Sequence, residues 1–269
     1  MKRRGFIVSS ALGVLGLGAS RLALEAEKSL MAGEPESGRP SNAATRKILI
    51  AGGGFGAVFI KYMAQLTGKP RPKVLYLPTA SADRPGNFMA ACEGLDVEPS
   101  IQNSFISSYR QDKTWEEALL SVDAIVCSGG NTLNQQAIWK AQGIDVVLRQ
   151  AWDQGIVLGG ASAGSLCWFE EGTTDSRPRE LSIVQCLGLL KGSHCPHYDR
   201  EAQRRPLYLG LVGSGQLKPG YACYNDAGIY FEDNEVRRVV KTRAEARVFH
   251  VRAVDGQPVE EQLPAEMIS

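Results

Sequence analysis

Histidine is scarce in this chain: three occur among 269 residues, at positions 194, 197 and 250. Any chemistry that needs an imidazole base therefore has three candidates. Net charge is nearly absent as well, since 30 Lys and Arg oppose 29 Asp and Glu and leave a formal charge of +1. That balance supplies no global field to draw nucleic acid or an anionic membrane, so neither is expected as a partner. No apolar run reaches the ~20 residues a spanning helix requires, which argues against stable membrane insertion. The six cysteines, at 92, 127, 167, 186, 195 and 223, form no CxxC pair, and a chain of this length needs no disulfide staples. Cys127 and Cys167 lie in apolar runs and are expected as small reduced core residues.

What is present is ordinary globular composition, 43% hydrophobic and 22% charged, enough to bury one full core. The first residues stand apart. Lys2-Arg3-Arg4-Gly5-Phe6-Ile7 leads into an apolar, Gly/Ser/Ala-rich run through Ala19. A basic segment followed by a short apolar one is the layout of an export signal, and the adjacent arginines resemble a twin-arginine leader. Residues 1–25 are thus expected to be a leader that sends the chain to the periplasm. The alternative is a start assigned too far upstream and a cytoplasmic protein. Residues 26–46 are polar and rich in Pro, Gly, Ser and Glu, the composition of a flexible linker. Residues 47–269 form the expected folded domain.

Within that domain, short apolar runs alternate with helical spacing. Lys47–Ala51, Lys73–Leu77, Asp123–Cys127 and Gly155–Gly159 read as buried strands. Phe55–Leu66, Asn87–Leu95, Asn131–Gln142 and Ile144–Trp152 read as helices between them. Continuously apolar strands separated by helices predict a doubly wound α/β fold, a mostly parallel sheet with helices on both faces. Ligand sites in such sheets lie beyond the carboxyl ends of the strands. Gly228–Phe231, Val236–Lys241 and Arg247–Val251 read as a short β-rich C-terminal tail, an antiparallel edge or flap.

The strongest chemical signal is Gly160-Ala161-Ser162-Ala163-Gly164, directly after a buried strand and before a short helical stretch, Ser165–Phe169. That context makes a G-x-S-x-G match a nucleophile elbow. Residues two before and two after the serine must be small, or they would collide with neighbouring backbone. The Ala163 amide then points to where an oxyanion would form. A serine hydroxyl needs a base within reach. His250 sits in an alternating strand pattern, whereas His194 and His197 share the loop Gly192-Ser193-His194-Cys195-Pro196-His197-Tyr198-Asp199. Pro196 stiffens the chain before His197 and favours it as the base, with His194 as a structural hydrogen bonder. For the acid that orients the imidazole, Asp175 is best placed between serine and histidine; Glu170, Glu171 and Asp199 are alternatives. A zinc site from His194, Cys195, His197 and Asp199 lacks a second ligand-bearing segment, so no metal is expected.

The order Ser162, Asp175, His197 spans only 35 positions (197 − 162), too compact for a standard α/β-hydrolase. Together with Ser128-Gly129-Gly130-Asn131-Thr132, Ile50-Ala51-Gly52-Gly53-Gly54 and Pro78-Thr79-Ala80-Ser81, the elbow, the Thr173-Thr174-Asp175 segment and Cys195-Pro196-His197-Tyr198 resemble peptidase E and its relatives, including cyanophycinase, over roughly residues 47–232. The resemblance implies a class I glutamine amidotransferase-like fold and a Ser-His-Asp/Glu hydrolase. Ser162 carries over as nucleophile, His197 as base, Asp175 as third member and the Gly130 amide as second oxyanion donor. It also implies small peptides with an N-terminal aspartate as substrates. An aspartate side chain would want a cation, and Arg177, Arg179, Arg200, Arg204 and Arg205 lie near in sequence, though solvation is the default for each and none is singled out.

Gly52-Gly53-Gly54-Phe55-Gly56-Ala57 also fits a dinucleotide-binding pattern. The following strand, however, ends in Pro78-Thr79-Ala80-Ser81 with no acid for a ribose, so no cofactor is expected and the glycines are assigned to the hydrolase cleft. The sequence thus predicts a serine-type peptidase acting on small peptides through an acyl-enzyme. A catalytically silent binding protein on the same fold, or a cyanophycinase-like hydrolase of another isopeptide or amide, are the alternatives.

Overall fold

A computed structural model describes residues 43–269; the expected leader and most of the expected linker lie outside the described residues. The compact unit runs from Ala44 to Ser269 and carries two sheets. The first contains β1 (Lys47–Ala51), β2 (Lys73–Leu77), β3 (Glu98–Ile101), β4 (Ala124–Cys127) and β5 (Val157–Ala161), all parallel, in the order β1-β5-β4-β2-β3. The second contains β6 (Phe169–Thr174), β7 (Ser182–Gln185), β8 (Leu190–Cys195) and β9 (Gly220–Cys223). Two later strands, β10 (Ala227–Glu232) and β11 (Glu235–Lys241), extend the first sheet beyond β1 in antiparallel fashion. The chain then returns to the second sheet as β12 (Val248–Val254) and β13 (Gln257–Leu263), and β14 (Glu266–Met267) closes the edge of the first. The helices are α1 (Ala57–Leu66), α2 (Phe88–Cys92), α3 (Trp115–Leu119), α4 (Thr132–Gln142), α5 (Ile144–Asp153), α6 (Ala163–Leu166) and α7 (Arg204–Gly213).

The doubly wound α/β expectation holds because both faces of the parallel strands are buried. In β1, Ile48 and Ile50 enter one hydrophobic cluster with Trp139 of α4 and Trp152 of α5. Leu49 and Ala51 enter another on the opposite face, with Phe59, Ile60 and Met63 of α1. Strand side chains alternate between faces, so a strand covered on both sides must be apolar throughout. Among the described residues, no helix is long and apolar enough to cross a membrane.

Two expectations need correction. The helix after the elbow stops at Leu166, and Phe169 begins a strand, β6, instead of ending a helix. The C-terminal segments are not one flap: β10 and β11 complete the first sheet, while β12 pairs with β9 in the second. The second sheet went unread because β6 and β8 carry polar residues such as Thr173, Thr174, Ser193 and His194, all buried. Their hydrogen-bond partners come from distant segments, such as Cys195 for Thr173, Tyr208 for Ser193 and Tyr221 for His194, so hydrophobic periodicity does not mark them.

Candidate active site

The carboxyl ends of β1, β2, β4 and β5 meet at one edge of the first sheet. Ser162 follows β5 and is held at φ 59°, ψ −121°, a backbone region that costs a non-glycine residue on the order of 1–3 kcal/mol. Between residues 156 and 169 it is the one residue that is not buried. The elbow's steric requirement is met at the two expected positions. Gly160 has φ 146°, and a Cβ there or on Gly164 would collide with the Cys127 carbonyl. The Ser162 amide donates to the Ala51 carbonyl (3.3 Å), and the His197 amide donates to the next carbonyl, Gly52 (3.2 Å). Both residues are thus tethered to the end of the same strand, and both are half-buried.

His197, at φ 55°, turns its ring over Gly53, where an added Cβ would lie 2.7 Å from Cε1. Its Nδ1 lies 2.8 Å from Asn225 Oδ1. Because that oxygen only accepts, Nδ1 carries the proton and Nε2 keeps a free lone pair. Asn225 is fixed in turn. Its amide donates to Asp199 Oδ1 (2.8 Å) and its carbonyl accepts from Arg243 Nη2 (3.3 Å). Arg243 also donates to Asp199 Oδ2 (2.9 Å) and Asp226 Oδ2 (3.1 Å). Gly52 and Gly53 leave room for this turn: a Cβ on Gly52 would meet the Tyr224 carbonyl, and one on Gly53 the Asn225 side chain. That is the structural use of the glycine run that mimics a dinucleotide fingerprint.

Asp175 is not the acid at His197. Its side chain is 63% exposed and faces Arg204 Nη2 at 3.5 Å. It follows the last residue of β6, so the strand carries it to Arg204 at the start of α7 instead of to the imidazole. Glu170 and Glu171 are likewise committed elsewhere, to the Gly192 amide and to the Lys218 amide. Asp199 acts on Asn225 and not on the ring. Sequence reasoning missed Asn225 because it searched for an acid between Ser162 and His197, whereas Asn225 lies 28 positions beyond the histidine (225 − 197). The one available signal was Asn225-Asp226 in the short gap between two apolar runs.

His194 is a buried structural residue. Nδ1 lies 2.9 Å from the Tyr221 carbonyl and Nε2 lies 3.0 Å from Ser165 Oγ. Burial pulls its pKa down to about 3, so the ring is neutral; Nδ1 donates to the Tyr221 carbonyl, and the single Ser165 hydroxyl proton has two acceptors in reach, Nε2 and the Ser162 carbonyl at 2.8 Å. Ser165 is fully buried beneath the elbow. The loop once weighed as a metal site does not converge. Cys195 Sγ faces Thr173, His194 is taken by Tyr221 and Ser165, and His197 and Asp199 are both engaged with Asn225. All six cysteines are free and five are buried.

Gly129 and Gly130 follow β4. A Cβ on Gly129 would lie 3.7 Å from Ser162 Oγ, so this backbone borders the hydroxyl. Gly130, at φ 131°, leaves no room for a side chain beside the Ala80 carbonyl, which accepts from the Asn131 amide at 2.8 Å. Asn131 also caps α4 by accepting from the Asn134 amide (2.9 Å). Among the described residues, the amides of Gly130 and Ala163 donate to no backbone carbonyl.

Comparison with known proteins matches Peptidase family S51 over residues 48–239. The uncharacterized peptidase YgaJ of Bacillus subtilis (strain 168) is 35% identical over 229 residues, covering 82% of this chain and 98% of that protein. The chain belongs to peptidase family S51. Two solved structures share its fold. A peptidase from an acI-B1 Actinobacterium superposes with a TM-score of 0.64 at 15% identity, covering 84% of this chain and 96% of that one. A protein from Listeria monocytogenes EGD-e, provisionally assigned to peptidase E, gives 0.57 at 18% identity, covering 74% and 100%. The family makes this chain a peptidase, and the peptidase E resemblance of its motifs stands.

Proposed function

We propose that this S51 peptidase is a serine-type hydrolase of small peptides in which Ser162 is the nucleophile and His197 the base. The observation that carries the reading is the strained, half-buried Ser162, exposed from an otherwise buried segment and tethered beside His197 at the end of β1. His197 Nε2 takes the Ser162 proton as Oγ attacks an amide carbonyl. The Ala163 and Gly130 amides receive the oxyanion, His197 protonates the leaving amine, and water repeats the sequence on the acyl-enzyme. In this cycle the Ser162 Oγ–His197 Nε2 hydrogen bond forms as substrate enters.

Asn225 takes the orienting role expected of Asp175. An amide oxygen selects the same tautomer as a carboxylate would, but it adds no charge to stabilise the imidazolium. Asp199 and Asp226, joined through Arg243, bring negative charge to that end of the site. An aspartate-first substrate calls for a cation within reach of its side-chain carboxylate. Arg177, Arg204 and Arg205 are held by Ser182, Glu201 and Glu260, which weakens that form of the reading.

A fluorophosphonate tests the nucleophile. Labelling of the wild type that is lost in Ser162→Ala and kept in Ser165→Ala supports the reading; a folded wild type that does not label refutes it. We also propose export, on the Lys2-Arg3-Arg4 leader pattern. Replacing Arg3 and Arg4 together by lysine should hold the protein in the cytoplasm, and unchanged periplasmic recovery would remove the proposal.

A further inference from the structure

A cleft of about 390 Å³ opens directly beside Ser162, between the chain following β1 and helix α2. Its size suits one large side chain. The walls are flat and apolar. Tyr76 and Phe88 stack at 4.7 Å with 10° between their planes, and Phe55 stacks on Phe59 at 5.4 Å. Val126 and Ala161 also line the cleft. No Asp, Glu, Lys or Arg lines the cleft; its polar groups are the neutral side chains of Tyr76, Asn87, Cys127 and Ser162. A carboxylate placed there loses its water and meets no cation, whereas an aromatic or aliphatic side chain gains from the same burial.

We propose that this cleft takes the side chain of the residue that supplies the scissile carbonyl, and that this side chain is apolar or aromatic, of the Phe, Leu or Met class, not aspartate. The proposal rests on Ser162 being the nucleophile. The cleft fits the acyl side because the acyl group becomes bonded to Ser162 Oγ, so its side chain departs within a few ångströms of the wall that Ser162 forms. The preference is set by the absence of charge on all walls, not by one recognition contact. Discrimination between Phe and Asp should therefore be about tenfold or more, the scale of pocket-based selection.

The test uses the full chain and aminoalkyl diphenyl phosphonates bearing Phe, Leu, Asp or Lys side chains. In each reaction Ser162 Oγ bonds to phosphorus, phenoxide leaves, and the serine proton passes to His197; intact mass reads the rate. Phe and Leu probes should react about tenfold or more faster than the Asp and Lys probes. Asn87→Arg, at the exposed rim of the cleft, should speed the Asp probe and slow the Phe probe, and Ala91→Arg provides a second wall position should the first variant fold poorly. Equal rates, a faster Asp probe, or no reaction with any of the four while a plain fluorophosphonate still labels Ser162, overturns the substrate class and leaves the nucleophile standing. No labelling by the plain fluorophosphonate refutes the serine reading, and this inference with it.

Discussion

His197 Nδ1 and Asn225 Oδ1 lie 2.8 Å apart, which gives the candidate base a neutral amide as its orienting partner. If that contact selects the tautomer, Asn225→Leu should lower kcat by roughly 10²- to 10⁴-fold, the range for loss of base orientation. Asn225→Asp, which still accepts from Nδ1, should recover most of it. Asp175→Asn should stay within about threefold of wild type, because Asp175 is solvent-exposed at 3.5 Å from Arg204, and the buried Arg204 keeps Glu201 and the Thr173 carbonyl as partners. Steady-state kinetics on one peptide substrate compares all three; a larger loss in Asp175→Asn than in Asn225→Leu would restore the acid first expected.

Arg243 touches Asp199, Asp226 and the Asn225 carbonyl without reaching the ring of His197. It is a positioning residue. Arg243→Lys cannot hold two carboxylates through one planar fork and should reduce kcat more than it raises KM. Fluorophosphonate labelling, slowed in step with kcat while Tm stays within a few degrees, is the check.

The elbow's glycines carry a steric prediction. Gly164→Ala sets a methyl against the Cys127 and Ser128 carbonyls, which are backbone atoms that yield little. A destabilisation of about 1–3 kcal/mol is expected from such overpacking, visible as a Tm lowered by several degrees. Unchanged melting would mean that the elbow is looser than its contacts require.

His194 supplies a pH dependence whose sign follows from burial. Its ordinary value of 6.5 is drawn down to about 3 in the folded protein. Between those values the unfolded chain binds a proton that the folded chain refuses, so this residue favours unfolding increasingly as pH falls from 6.5 toward 3. Its neutral form costs nothing above about pH 6.5. His194→Gln should flatten the acid side of the stability curve relative to wild type, measured by denaturant unfolding between pH 4 and 7. A parallel curve in the variant would show that His194 does not titrate on unfolding.

The parallel core was readable because its physics is local. Strands covered on both faces must be apolar at every position, so Lys47–Ala51, Lys73–Leu77 and Asp123–Cys127 announced themselves, and β2 begins and ends where expected. The elbow was equally legible, since Gly160 and Gly164 answer to backbone a few residues away in space and to a turn that admits no other residue. The second sheet was hidden for the opposite reason. Thr173, Ser193 and His194 look solvent-facing by type and are buried only because partners from distant segments satisfy them.

The amino-acid order alone determined that a serine sits at a strained turn after a buried parallel strand, because chain sterics and burial periodicity act over a few neighbouring residues; it also supplied His197 as the proposed base. Which side chain orients that histidine, and which chemistry lines the cleft beside Ser162, were decided by the tertiary structure. Asn225, Asp199 and Arg243 come from three separate stretches of chain, and Phe55, Tyr76 and Phe88 from three others. Proximity of that kind is a property of how strands are ordered in a sheet, which no local pattern encodes.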